Sequence, residues 1–76
     1  MTAVWRDPPA PGAGPARKEW IDGTVAMLQA NVGSWLFVGR WNLSARRTWR
    51  RRGCDVTLRE SVDGFADFYV RWPEGD

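Results

Sequence analysis

Cys54-Asp55-Val56-Thr57-Leu58-Arg59-Glu60, then Asp63-Gly64, then Ala66-Asp67-Phe68-Tyr69-Val70-Arg71-Trp72: this stretch decides the fold. Cys54, Val56 and Leu58 alternate with Asp55, Thr57 and Arg59; Ala66, Phe68, Val70 and Trp72 alternate with Asp67, Tyr69 and Arg71. A strand sends successive side chains to opposite faces, so residues 54–60 and 66–72 read as two strands with one apolar face each. Asp63-Gly64 between them is a hairpin signal, because both residues tolerate the positive φ of a tight type I′ turn. Pro73 ends the second run, having no N–H to give a ladder.

Working back toward the N-terminus, residues 44–52 read as a short helix. Ser44 is placed to cap its first turn with the hydroxyl, and Gly53 to close it in a left-handed conformation. At about 100° per residue, Ala45, Thr48, Trp49 and Arg52 gather on one side and Arg46, Arg47, Arg50 and Arg51 on the other. Trp49 therefore points inward, and Arg52 lies at the buried side with its head reaching for water. Residues 35–41 (Trp35-Leu36-Phe37-Val38-Gly39-Arg40-Trp41) are aromatic or apolar with little polar alternation and read as a further strand. Residues 18–31 read as a helix, with Ile21, Val25 and Leu28 on one face at helical spacing and Trp20 and Met27 widening the stripe. Gly23 weakens that helix by about 1 kcal/mol relative to Ala. Asn31-Val32-Gly33 supplies its stop.

The order is thus α-β-α-β-β. It implies an α+β domain with a three-stranded, mostly antiparallel sheet packed against two helices. The last strand, the more apolar of the alternating pair, is expected in the middle (order 1-3-2). Residues 1–16 hold Pro8, Pro9, Pro11 and Pro15 with Gly12 and Gly14, a linker composition; residues 17–76 form the single domain. Trp5 in the arm is either a loosely held side chain or an anchor that docks on the domain or a partner. The P-x-x-P match at residues 8–11 carries little weight in so proline-rich a stretch.

With 76 residues, 6 Trp and 43% hydrophobic composition, the chain suits one small core filled by a few large rings. The longest apolar run, Trp35 to Val38, is far short of the roughly 20 residues that span a bilayer. Arg6, Asp7 and the prolines do not read as a secretory leader. With one cysteine, the expectation is a protein of the cytoplasm.

Histidine is absent and Cys54 is the lone cysteine. That excludes Ser-His-Asp and Cys-His nucleophiles and a Cys-rich or His-rich zinc site. No Gly-rich phosphate loop stands between a strand and a helix. Cys54 opens a strand on its apolar side and reads as a small core residue. Glu60, Asp63 and Asp67 are conceivable as a catalytic or Mg²⁺-binding set, but turn and solvated-edge roles suit them better. No cofactor, metal or small-molecule substrate is expected, and no enzyme.

Charge is uneven. It cancels up to Gly39, reaches a net +6 between Arg40 and Arg59 (seven Arg against Asp55), and falls to −4 from Glu60 to Asp76 (five acids against Arg71). Two surfaces follow. One is an anion or nucleic-acid site on Arg46, Arg47, Arg50 and Arg51, widened by Arg40 and Arg59; its bland alternative is a solvated helix face. The other is the outer sheet face with Tyr69 and Arg71, close to Thr57 and Arg59, together with one side of the Trp35–Trp41 strand. It could stack single-stranded bases, or be covered by a protein partner or a second copy in a homo-oligomer. Protein contact is the primary expectation and nucleic acid the alternative.

Gln29-Ala30-Asn31-Val32-Gly33-Ser34-Trp35 resembles a helix-N-P-G-x-W-strand signature, with Val32 where proline is usual. Phe68-Tyr69-Val70-Arg71-Trp72 is similar to a terminal V-Y-A-R-[YW] strand. Both belong to short orphan proteins of actinobacteria and their bacteriophages, and the likeness covers residues 18–73. The resemblance implies an origin in a phage or its host, and a protein of the host cytoplasm. It implies no mechanism.

Overall fold

The hairpin exists where the alternation puts it. In the computed structural model, which describes residues 15–75 (side chains from 17 onward), β2 (Asp55–Val62) and β3 (Phe65–Arg71) pair antiparallel. Asp63 and Gly64 both take positive φ, 52° and 80°, the pattern of a type I′ turn. β1 (Leu36–Asn42) pairs antiparallel with the other edge of β3, so the sheet order is β1-β3-β2. With α1 (Pro15–Gln29) and α2 (Ala45–Arg51), the fold is the expected α-β-α-β-β. β3 takes the centre because Ala66, Phe68 and Val70 are wholly buried and need neighbours on both sides.

Element ends move by one to three residues. α1 begins at Pro15, inside the stretch assigned to the arm, because proline has no N–H to waste at a first helical position and its φ is already helical. Ser44 does not cap α2 with its hydroxyl. Its backbone is helical (φ −62°, ψ −22°), which aims the side chain away from the free N–H groups, and its own N–H donates to Asn42 Oδ1 at 2.9 Å. The far end follows expectation. Gly53 sits at φ +96° and donates to the Arg50 carbonyl, and Cys54 N–H donates to the Trp49 carbonyl, a Schellman closure.

A bulge sets the faces of β1. Phe37 pairs with Tyr69, but the next partner, Phe68, faces Gly39, so Val38 is the extra residue. Uninterrupted alternation from Leu36 would send Arg40 inward and Trp41 out. The bulge reverses both. Trp41 enters the core and donates its indole N–H to the Val38 carbonyl at 2.8 Å, and Arg40 lands outside opposite Asp67.

Both helices cover the same sheet face. Ile21, Val25 and Leu28 of α1 and Ala45 and Trp49 of α2 close over Val38, Trp41, Ala66, Phe68 and Val70. Three tryptophans from three elements meet there. Trp20, Trp41 and Trp49 have ring centroids 6.1–6.2 Å apart, with Trp49 edge-on to the other two. Such pairs add roughly 0.5–1.5 kcal/mol each beyond the area they bury. The Arg17 guanidinium covers the Trp41 ring at 4.4 Å, and buried Thr24 donates its hydroxyl to the Trp20 carbonyl. Cys54 is buried at the start of β2, and burial pushes its thiol pKa up, as befits a core residue. Among the described residues, no helix is long and apolar enough to cross a membrane.

Candidate functional site

The sheet's second face has no helix over it. It carries Phe37 from β1, Asp55, Thr57 and Arg59 from β2, and Asp67, Tyr69 and Arg71 from β3, with Trp35 at the entrance to β1. Phe37 and Tyr69 are direct cross-strand partners with rings 5.2 Å apart. Trp35 is 46% exposed and Phe37 43%. The Arg71 guanidinium lies over the Trp35 ring at 4.7 Å while its Nε donates to Asp55 at 3.0 Å. Arg59 leans over Tyr69 at 5.7 Å. Trp35, Thr57, Arg59 and Tyr69 together line a shallow open groove. Arg40 and Asp67 form an exposed ion pair at 3.2 Å near the turn end of the face.

The opposite side of the molecule is the outer face of α2. Trp49 is fully buried beneath it, so Arg46, Arg47, Arg50 and Arg51 point away from the sheet and share one open stretch of surface. Among the described residues none of the four guanidinium groups has an acidic partner. The arrangement works against the helix. Arg46/Arg50 and Arg47/Arg51 are like-charged pairs at i, i+4, each unfavourable by about 0.2–0.5 kcal/mol. Arg46 and Arg47 also sit in a first turn without an acid, where the helix dipole disfavours cations; Arg50 and Arg51 in the last turn are well placed. Arg52 takes a separate role. It donates from Nε to Asp22 at 3.1 Å and from a terminal nitrogen to the Thr48 carbonyl, tying α2 to α1. That guanidinium, through its hydrogen bond, holds the Asp22 carboxyl below its ordinary pKa.

The sequence grouping of basic residues divides here. Arg40 and Arg59 do not widen the helix patch. They belong to the open sheet face with Tyr69 and Arg71, because β1 and β2 present them on the side that neither helix covers. Trp5 lies outside the described residues. The sheet face gains Trp35 and Phe37, which the sequence alone did not single out as site residues; the signal for Phe37 was its two-residue spacing from Trp35, hidden in a run that is apolar throughout.

Fold and surface thus define a two-layer α+β domain with an open aromatic sheet face and a separate arginine face. Compared with known proteins, the chain matches no family model, no curated protein and no solved structure.

Proposed function

We propose that the protein is a non-enzymatic binding module whose open sheet face contacts another polypeptide. The observation that carries this is the contiguous row of exposed Trp35 and Phe37 and partly buried Tyr69, flanked by Arg59 and Arg71. Trp, Tyr, Phe and Arg are the residue types enriched at the centres of protein interfaces. Asp55 and Asp67 share the face, and two of its three guanidinium groups are occupied by them, which suits a polypeptide better than a polyanion.

Size narrows the partner. Three strands of seven or eight residues make a face of about 14 × 23 Å, roughly 330 Å² in plan, against about 800 Å² per side for a stable interface. A partner that lays an extended or loop segment across the groove and reaches beyond the sheet fits that face. The partner we propose is a host protein, and that choice rests on the sequence resemblance to short phage proteins alone.

Photo-cross-linking tests the reading. In Thr57→Cys the new thiol can be labelled with a maleimide cross-linker, since Cys54 is buried. A discrete protein adduct in cell extract is expected from Thr57→Cys, abolished by a further Phe37→Ser, and absent from Arg47→Cys on the opposite side. Equal adducts from both sites, or indifference to Phe37→Ser, would refute it.

A further inference from the structure

We infer that the outer face of α2 is a second, independent binding site, a contact for the phosphate backbone of nucleic acid that does not read base sequence. The contrast among arginines carries it. Every other arginine whose side chain is described has a partner: Arg17 on Trp41, Arg40 with Asp67, Arg52 with Asp22, Arg59 on Tyr69 and Arg71 with Asp55. Among the described arginines, Arg46, Arg47, Arg50 and Arg51 alone have none, and they are contiguous on one open stretch of surface. Helix stability does not account for the cluster: the dipole favours Arg50 and Arg51 but opposes Arg46 and Arg47, and both i, i+4 pairs repel.

A polyanion relieves that repulsion, and the planar guanidinium fork suits phosphate oxygens, which it can bind through two parallel hydrogen bonds. The face offers only arginine, with no Asn, Gln or carboxylate for adenine or cytosine edges; arginine also pairs with guanine edges, so equal binding of two unrelated sequences is the mark of backbone contact. Being on the opposite side from Trp35, Phe37 and Tyr69, the site can be filled while the sheet face holds a protein.

The test is binding of the full chain to two duplex DNAs of equal length and unrelated sequence, by fluorescence anisotropy across a salt series. Four phosphate contacts predict a log–log slope near −3.6, so affinity falls about 150-fold between roughly 50 and 200 mM salt. The two sequences should bind alike. The R46A/R47A/R50A/R51A variant should lose the binding while keeping the near-ultraviolet circular dichroism of the tryptophan cluster. The corresponding fourfold Arg→Lys variant should keep the slope with weaker affinity, having the charge without the fork. Absence of binding at low salt, an unchanged slope in the alanine variant, or tighter binding to phosphatidylserine-rich vesicles than to duplex at equal anionic charge would overturn the inference. Thr57→Cys cross-linking in the alanine variant separates the two sites: adducts persist there even if the DNA experiment fails.

Discussion

Gly53→Ala should be among the most damaging single-methyl additions in this domain. Gly53 closes α2 at φ +96°, and a Cβ built there would lie 2.9 Å from Trp72 Cη2 and 3.2 Å from Cζ3. The backbone alone costs an L-residue about 1–2 kcal/mol. Displacing a large ring that packs against the core adds about 1–3 kcal/mol. Loss of glycine's freedom in the unfolded chain gives back about 0.4–1 kcal/mol. The net is a loss of about 1–4.6 kcal/mol, centred near 3, which at about 4–8 °C per kcal/mol lowers the melting temperature by roughly 12–24 °C at that centre. Gly64→Ala is the control. It has φ +80° but nothing within 4 Å of its Cβ, so only backbone strain applies and the loss should be about 0–1.6 kcal/mol. Thermal melts followed by circular dichroism compare the two, and a cycle with Trp72→Ala should recover at least about 1 kcal/mol of the Gly53→Ala loss. If Gly53→Ala costs no more than Gly64→Ala, the packing of Trp72 on the α2 closure is not what makes glycine necessary there.

Other expectations follow from the same geometry. Gly23→Ala should raise stability by about 0.5–1 kcal/mol in urea titrations, since the site is an exposed helix interior with nothing within 4 Å of the added methyl. Trp49→Phe should cost well under the roughly 3–5 kcal/mol expected of Trp49→Ala, because the ring that stays still meets Trp20 and Trp41 while the lost indole Nε1 has no acceptor among the described residues. Asp22 has its folded pKa depressed by Arg52, so its contribution is fully present above the ordinary aspartate pKa and is lost as pH falls below that value and through the lower folded pKa. The stability gap between wild type and Asp22→Asn should therefore close on acidification, as read from urea midpoints against pH. Cys54, buried and with its thiol pKa raised, should react with thiol reagents only as fast as the domain opens, and denaturant should accelerate labelling sharply.

Legibility followed the periodicity. Ile21, Val25 and Leu28, the alternation on either side of Asp63-Gly64, and the split of α2 into Trp49 and four arginines all reappear as packed faces, because burial acts on each element's own repeat. The sheet order was legible for the same reason: Ala66, Phe68 and Val70 left one strand with an uninterrupted apolar side. The outer surface was harder. Tyr69 and Arg71 could be assigned to it by alternation, but Trp35 and Phe37 lay in a run where every residue looked apolar.

Local sequence by itself determined which elements form, in what order, and which side of each faces inward, since turn chemistry and hydrophobic spacing act over a few residues. Only the tertiary structure decided how those elements share their charges. The Val38 bulge, made in pairing with β3, turned Arg40 out to Asp67 and drew Trp41 into contact with Trp20 and Trp49. Packing of both helices on one sheet face then placed Arg40 and Arg59 on the far side from the α2 arginines. What reads along the chain as one basic block becomes two surfaces in space, because charge adjacency in sequence says nothing about which layer a residue ends in.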